Sequence, residues 1–330
     1  MEKVITLSDL NLGYNKRVVL KNINAELHQG ELLGLLGENG KGKSTLLHTI
    51  VGLKKAFSGT IQIQGKNLSE FKSGELAKAI SVVLSNKVST NQFSVEELVS
   101  LGRIPFTNWS GALSAADLEK VQWAMDQVEI SHLAEKRMEE ISDGERQRTM
   151  IAKALAQDTP IILLDEPTAH LDLNNRVALL NLLRKLAKTT GKSILFSTHE
   201  LELAIQLSDR LWIIDKNGTL HQGFPEDLAL NGTFNTIFDS KNIQFDKNSG
   251  SFKVDTDYLS GIKIISPNPQ LFWLENALRK IGFHQDSKAN ISIEFIENKG
   301  FSLQDRTGEQ CFETVQTLIT GLILKKPLQN

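Results

Sequence analysis

Cysteine, excess charge of one sign and long apolar runs are all scarce in this chain of 330 residues. The single cysteine, Cys311, cannot form an internal disulfide, which fits a reducing compartment. The formal net charge of -2 gives no overall positive field, so we expect no nucleic-acid partner. Without a stretch of about 18 apolar residues, the chain is not expected to span a membrane by itself. Residues 1–10 lack a basic segment followed by an apolar run, which predicts that there is no signal peptide.

Residues 4–238 alternate apolar runs with helical patterns, which is typical of an α/β domain. Four of the runs predict strands that are buried on both faces, as in a parallel sheet. These runs lie at residues 32–36, 161–164, 193–196 and 211–214. Few strand signals occur in residues 90–140, so we predict a helical subdomain at about residues 87–140.

The chain beyond residue 238 has a different pattern and predicts a small α+β domain at residues 239–330. A polar stretch at residues 239–251 marks the boundary, and alternating apolar residues at 291, 293 and 295 predict a half-buried strand. Two apolar stripes have helical spacing. They comprise Leu271, Leu274, Leu278 and Ile281, and then Phe312, Val315, Leu318, Ile319 and Leu322. The segment carries no chemical motif, and both a regulatory ligand module and a dimer-stabilising appendage fit it.

A phosphate-binding loop is predicted where an apolar strand meets a helical run that begins at Thr45. The pattern GxxxxGK[ST] is formed by Gly37, Glu38, Asn39, Gly40, Lys41, Gly42, Lys43 and Ser44. Its glycines let successive N–H groups face one anion, and the dipole of the following helix points at the same place. Lys43 would meet the β- and γ-phosphates, and Ser44 would ligate Mg²⁺. The motif predicts a nucleoside triphosphate but does not choose between kinase, GTPase and ATPase.

Two carboxylates, Asp165 and Glu166, follow the apolar strand at residues 161–164. Ligands of open parallel sheets sit beyond the carboxyl ends of the strands. Asp165 would therefore face the metal, and Glu166 would polarise the attacking water. Without the phosphate loop, the same residues would fit a polar turn before Pro167. His199 ends the next predicted strand and could hydrogen-bond the γ-phosphate, although a lone histidine there is usually an ordinary surface residue.

Residues 141–148, with the sequence ISDGERQR, resemble the LSGGQ signature of ABC ATPases. Ser142 and Glu145 also have the spacing of a helix capping box, and both interpretations can hold because a capped helix start binds anions. The resemblance implies a P-loop NTPase fold of the ABC type. It also implies that Ser142, Gly144 and Glu145 face the γ-phosphate held by a second copy of the chain, so that a head-to-tail dimer encloses two ATP molecules.

Other motifs of this family follow in order, and the resemblance covers about residues 4–223. Tyr14 lies where the family stacks an aromatic ring on adenine, although it also fits an ordinary surface tyrosine. Residues 169–172 resemble the D-loop, which implies that Asp172 contacts the partner subunit. His199 falls at the position of the family's switch histidine.

Residues 97–105, 142–155 and 168–173 are similar to the ATPases of iron-siderophore, haem and cobalamin importers. Such importers pair two ATPases with two membrane permease subunits and a substrate-binding protein. The resemblance therefore implies a peripheral protein on the cytoplasmic face of the membrane. Alternatively, Gly102 and Arg103 end a helix that other transporter classes share. An exporter ATPase and a soluble ABC protein outside transport remain the alternative functions.

Three residues depart from the family pattern. Ser85 occupies the place of a glutamine that reaches Mg²⁺ and the water, and its shorter side chain predicts looser metal coupling. Asp143 replaces a signature glycine, so its carboxylate must point away from the phosphates. Glu145 replaces the signature glutamine, which is a milder change if its side chain mainly caps the helix.

Overall fold

The computed structural model describes residues 2–14, 17–85, 92–108, 111–238, 243–247, 249–254 and 260–325. The chain divides into two compact units, of which the first comprises residues 1–238 and 247–251 and the second comprises residues 239–246 and 252–330. Residue 87, where the helical subdomain is predicted to start, and residue 239, the predicted domain boundary, lie outside the described residues.

The first unit contains two sheets. The antiparallel sheet has the order β2-β1-β4-β5 and is formed by β1 (Lys3–Tyr14), β2 (Arg17–His28), β4 (Ser58–Ile63) and β5 (Lys66–Asn67). The central sheet is formed by β3 (Leu32–Gly37), β6 (Ile80–Val83), β7 (Ile161–Leu164), β8 (Ser193–Thr198), β9 (Arg210–Ile214) and β10 (Leu220–Gly223). Its order is β10-β9-β3-β8-β7-β6, and only the β9–β10 hairpin is antiparallel. Because every residue of β3, β7 and β8 is buried, the prediction of a doubly covered parallel sheet is confirmed.

Helices surround the central sheet at α1 (Lys43–Ile50), α2 (Ser73–Ala79), α6 (Leu173–Thr190), α7 (Leu201–Leu207), α8 (Pro225–Leu230) and α9 (Thr233–Phe238). The longest, α6, begins where Asp172 accepts a hydrogen bond from the Asn175 N–H at 2.8 Å, and ends at Gly191 with φ 67°. Its buried leucines include Leu180 and Leu183, whose separation of three residues places them on one face of the helix. Within the described ranges, no helix is long and apolar enough to cross a membrane.

A helical part of the first unit contains α3 (Val95–Ser100), a 3₁₀ helix (Leu101–Phe106), α4 (Ala115–Gln127) and α5 (Asp143–Ala156). The 3₁₀ helix lies close against α5 because Gly102 has no side chain, and a Cβ there would lie 2.3 Å from the Lys153 carbonyl oxygen. The buried Arg103 fastens the same place, since its Nε donates to Asp117 Oδ1 at 2.9 Å and its Nη1 donates to the Ala156 carbonyl at 2.7 Å. Gly102 and Arg103 therefore hold the 3₁₀ helix against α4 and α5.

The second unit is an α+β structure, as the sequence predicts. Its strands are β11 (Ile243–Asp246), β12 (Ser251–Val254), β13 (Ser260–Ile265), β14 (Phe283–Gln285), β15 (Ser292–Ile296), β16 (Gly300–Asp305) and β17 (Gly308–Phe312). The last five form one sheet in the order β14-β13-β15-β16-β17, and two helices, α10 (Gln270–Lys280) and α11 (Val315–Lys325), contribute Leu274, Leu278, Leu318 and Leu322 to its core.

Two sequence predictions for this second unit were wrong in detail. Phe312 ends strand β17 instead of belonging to α11, because its apolar side chain matches the helical spacing by chance while packing on the same core. Ile281 lies one residue beyond α10, as its C-cap. The polar stretch at residues 239–251 includes the division between the two units, and it also contains the strand β11.

Candidate functional site

The phosphate loop lies between β3 and α1, at the carboxyl end of the central sheet. Gly40 and Gly42 have φ values of 77° and 104°, a region that side-chain-bearing residues rarely adopt. A Cβ on Gly42 would also lie only 3.0 Å from the Val19 side chain. Helix α1 has neither a side-chain cap nor an acidic residue in its first turn, so its terminal N–H groups are suited to an anion.

Lys43 is a buried cation, with 4% of its surface exposed. Its Nζ donates hydrogen bonds to the carbonyl oxygens of Gly37 at 2.8 Å and Glu38 at 3.4 Å, and lies 3.8 Å from Glu166 Oε1. Burial lowers the pKa of the Lys43 ammonium, while the charges of Glu166 and Asp165 oppose this change. The loop therefore holds a poorly solvated positive charge beside the uncapped end of α1, which suits a phosphate group.

Asp165 follows β7 directly, and three serine hydroxyls donate to its buried carboxylate. Oδ1 accepts from Ser197 Oγ at 2.7 Å and from Ser44 Oγ at 3.3 Å, and Oδ2 accepts from Ser85 Oγ at 3.1 Å. Mg²⁺ prefers oxygen ligands and is usually held by one or two carboxylates together with substrate phosphates. One carboxylate with two neighbouring hydroxyls, from Ser44 and Ser85, fits that pattern. Within the described ranges, no cluster of three or more histidine, cysteine or acidic residues offers an all-protein cage.

Glu166 differs from its neighbour because its side chain is 29% exposed and can reach solvent. Its backbone has φ 51°, an uncommon conformation for a residue other than glycine. The Glu166 N–H donates to Ser197 Oγ at 2.8 Å. The two adjacent carboxylates therefore have different environments, one buried among hydroxyls and one open to water.

Ser142 caps α5, and the predicted capping box is confirmed. The N–H and the hydroxyl of Ser142 both donate to Glu145 Oε2 at 2.8 Å, and the Glu145 N–H donates back to Ser142 Oγ at 3.3 Å. The backbone N–H of Ser142, followed by its hydroxyl, lowers the pKa of the Glu145 carboxyl. The Asp143 side chain is exposed at the start of the same helix.

Asn175 connects the signature segment with the segment that resembles the D-loop, a contact that the sequence did not reveal. Its Nδ2 donates to Asp172 Oδ2 at 2.9 Å, and a Cβ built on Gly144 would lie 3.6 Å from its side chain. A single methyl group at residue 144 would therefore make an ordinary van der Waals contact with Asn175, which places the start of α5 next to the start of α6. Asn175 lies three residues after the N-cap residue Asp172, and its N–H also donates to the Asp172 carboxylate.

The structure brings five of the predicted residues together at one edge of the sheet: Lys43, Ser44, Ser85, Asp165 and Glu166. The other predicted residues are not in hydrogen-bond or ion-pair contact with Asp165 or Glu166 in the described part of the chain. Within the loop, the Gly37 carbonyl accepts a hydrogen bond from Lys43, and Lys41 Nζ donates to the Lys216 carbonyl at 3.3 Å. Thr45 is buried in α1. The exposed positions are Asn39, His199 after β8, and Tyr14 at the end of β1, which is 48% exposed. Nucleotide contacts of these residues stay predictions.

Two residues in this region were missed, Ser197 and Glu200. Ser197 could have been found from strand register, because Leu164 pairs with Phe196 and the next residues, Asp165 and Ser197, then lie side by side. Glu200 accepts from Thr168 Oγ1 at 3.0 Å, and its N–H donates to Thr198 Oγ1 at 3.0 Å. It ties the loop after β7 to the end of β8, and no pattern in the sequence distinguishes it.

Comparison with known proteins identifies the family. A family model described as ABC transporter matches residues 20–169. An ABC transporter ATP-binding protein of Methanocaldococcus jannaschii is 35% identical over 261 residues, which are 79% of this chain and 90% of the relative. The iron(3+)-hydroxamate import ATP-binding protein FhuC of Bacillus subtilis is 33% identical over 66% of this chain and 81% of its own length. The ferric enterobactin transport ATP-binding protein FepC of Escherichia coli is 35% identical over 67% of this chain and 81% of its own length.

Solved structures agree with this result. CbiO1 from Clostridium perfringens, part of the ABC transporter complex CbiONQ, superposes with a TM-score of 0.62 at 29% identity, over 72% of this chain and 96% of its own. A bacterial ABC transporter cassette, solved as a dimer, has a TM-score of 0.58 at 27% identity, over 67% of this chain and 98% of its own. The predicted resemblance is confirmed: this chain belongs to the ATP-binding subunits of ABC transporters, which are ATPases coupled to transport.

Proposed function

We propose that this chain energises an importer that takes up an iron chelate, haem or cobalamin through a membrane permease. The proposal is supported by relatives whose names specify iron(3+)-hydroxamate and ferric enterobactin transport. The packing of Gly102 and Arg103 against α5 also gives a physical reason for the segment that resembles this group of importers. The chain would lie on the cytoplasmic face of the membrane as a peripheral subunit, with a substrate-binding protein delivering cargo to the permease.

The ATP-binding role is carried by one observation, the convergence of Lys43, Asp165 and Glu166 beyond the ends of parallel strands. Lys43 Nζ would exchange its two carbonyl acceptors for phosphate oxygens. A charged acceptor forms a stronger hydrogen bond with a buried ammonium than a neutral carbonyl does. Glu166, which reaches solvent beside Lys43, would orient the attacking water. His199 would contact the γ-phosphate, and Tyr14 would stack on the adenine ring.

The oxygen groups around Asp165 would hold Mg²⁺ together with the phosphates. When bound, this ion would neutralise negative charge that develops on the transferred phosphoryl group. Ser44 can donate its hydroxyl hydrogen to Asp165 and still offer a lone pair to the metal. Ser85 reaches Asp165 in place of the family's glutamine, so metal coupling would be looser. Unchanged Mg²⁺ dependence and hydrolysis rate in Ser85→Gln would contradict this reasoning.

Hydrolysis would require a second copy of the chain in a head-to-tail dimer. The start of α5, with Ser142 and Gly144, would meet the γ-phosphate held by the other copy, and Asp172 would lie at the contact between copies. The capping box keeps the backbone of this helix start in a fixed conformation before any partner arrives. Closure of the dimer would pass to the permease through the helical subdomain, and residues 239–330 would form an accessory domain.

Uptake measurements in cells that lack the gene test the proposed cargo. Cells complemented with the wild-type chain should accumulate one radiolabelled compound, either a ferric siderophore, haemin or cobalamin. Cells complemented with Glu166→Gln should accumulate none, because binding without hydrolysis would not drive transport. Equal uptake of all three compounds by both strains would refute an importer of this class, and ATP-dependent efflux would favour the exporter alternative.

A further inference from the structure

Ser197 is fully buried at the end of β8, between the two carboxylate-bearing residues of the site. The parallel pairing of β7 with β8 places Leu164 beside Phe196, so the chain positions that follow, Asp165 and Ser197, are neighbours. Ser197 Oγ lies 2.7 Å from Asp165 Oδ1 and 2.8 Å from the Glu166 backbone nitrogen. A single hydroxyl therefore contacts both Asp165 and Glu166.

The direction of these two hydrogen bonds is fixed by chemistry. The Glu166 N–H can only donate, so Ser197 Oγ accepts from it. An ionised carboxylate can only accept, so the one hydroxyl hydrogen of Ser197 is directed to Asp165 Oδ1. Ser197 is buried in the sheet, and its hydroxyl bonds both neighbours. A shift of the Asp165 carboxylate would therefore also shift the Glu166 backbone.

We propose that Ser197 is a positioning residue for ATP hydrolysis, which holds the Asp165 carboxylate and the Glu166 backbone in one geometry. This inference rests on the proposed roles of Asp165 at the metal and Glu166 at the water. The Glu166 backbone has φ 51°, a conformation of higher energy that needs outside support, and the Ser197 hydroxyl supplies a partner for its N–H. Asp165 receives at Oδ1 the shortest of its three serine hydrogen bonds from the same hydroxyl.

Ser85 completes the arrangement from the other side of the carboxylate. It donates to Oδ2 at 3.1 Å, so hydroxyls hold both oxygens of Asp165. Ser85 is exposed, whereas Ser197 is fully buried. Ser197 is therefore the better test of positioning, because its only hydroxyl hydrogen is directed to Asp165 and its side chain is closed to solvent.

Replacement of the hydroxyl tests the proposal, with a control from a neighbouring strand. Ser197→Ala removes both hydrogen bonds, and Ser197→Thr keeps the hydroxyl. Ser81→Ala is the matched control, because Ser81 is also fully buried in the central sheet and its Oγ has no hydrogen-bond partner in the described part of the chain. Melting temperatures of all three variants establish that each one is folded.

Two kinds of readout separate positioning from a merely structural role. Loss of a residue that orients ligands of a metal site typically costs about 10–100-fold in activity or metal affinity. We expect Ser197→Ala to lower kcat and to raise the Mg²⁺ concentration for half-maximal rate within that range, with the KM for ATP nearly unchanged. In nucleotide-free protein, the Glu166 amide should exchange its hydrogen at least about tenfold faster, because the N–H loses its acceptor. Ser197→Thr should restore these values, and Ser81→Ala should match the wild type.

Unchanged kcat and Mg²⁺ response in folded Ser197→Ala would overturn the proposal, as would unchanged exchange of the Glu166 amide. Equal losses in Ser81→Ala would also overturn it, since the effect would then reflect any lost buried hydroxyl. The exchange measurement needs no nucleotide. A wild-type chain that fails to hydrolyse ATP would therefore refute the proposed function. Faster exchange of the Glu166 amide in Ser197→Ala would still support the link that the Ser197 hydroxyl makes between Asp165 and Glu166.

Discussion

Gly102 lies at the contact between the 3₁₀ helix and α5, where the structure predicts a large effect of one added methyl group. In Gly102→Ala the new Cβ would lie 2.3 Å from the Lys153 carbonyl oxygen and 3.2 Å from the Ala156 side chain. Ordinary contacts begin near 3.4 Å, so the 3₁₀ helix must move about 1 Å away from α5. The opposing atom belongs to helix backbone and cannot rotate aside.

Overpacking of this kind typically costs about 1–3 kcal/mol, and a clash with backbone belongs at the upper end of that range. For a unit of this size, each kcal/mol lowers the melting temperature by about 2–4 °C, so a cost near 3 kcal/mol should lower it by about 6–12 °C. Calorimetry of the whole chain measures it. Movement of the 3₁₀ helix would also strain the buried bonds from Arg103 to Asp117 and to the Ala156 carbonyl.

Gly74→Ala is the matched control for this experiment. Gly74 lies in helix α2, and a Cβ there would meet no atom within 4 Å. Alanine favours a helix over glycine, so the melting temperature should stay the same or rise slightly. A Gly102→Ala variant that melts like the wild type, or equal losses of stability in both variants, would show that the close contact at residue 102 does not limit stability.

Two further predictions concern charge. Lys43→Ala should weaken ATP binding by roughly 10–150-fold, because a charge-assisted hydrogen bond contributes about 1.5–3 kcal/mol, and titration with a fluorescent ATP analogue measures it. Wild-type affinity would contradict the phosphate assignment. The hydroxyl and backbone N–H of Ser114 lower the pKa of Asp117 to about 2. The stabilisation by this carboxylate should therefore be complete above about pH 4 and lost as the pH falls through about 2, as melting temperatures against pH would show. In Asp117→Asn this dependence should be weaker, and an identical pH profile would contradict it.

The fold of the first unit was predictable where apolar pattern and turn chemistry agree. The run at residues 161–164 coincides with β7 because it is uniformly apolar and ends abruptly at two carboxylates. Ser142 and Glu145 predicted the start of α5, since a capping box depends only on residues three apart. Phe312 was assigned to a helix because one apolar residue fits both periods, and only its pairing with Phe301 decides in favour of a strand.

The candidate site was predictable only in part, because its remaining members are defined by contacts between distant segments. The phosphate loop and Asp165 carry local motifs, so sequence alone identifies them. Ser197 is a serine at a strand end, and its meaning depends on the register of β8 against β7. Asn175 likewise matters because α5 approaches the start of α6 near Gly144. Neither relation has a signature within one segment.

We propose that two copies of the chain share each ATP, and the structure of a trapped complex would show whether they do. Glu166→Gln should bind ATP without hydrolysing it, so the protein with ATP and Mg²⁺ should form a stable dimer. In this complex, the Ser142 hydroxyl and the first N–H groups of α5 should lie within hydrogen-bonding distance of a γ-phosphate that contacts Lys43 of the other copy. A closed dimer in which Ser142 and Gly144 lie far from every phosphate, or a fully active monomer, would contradict the account.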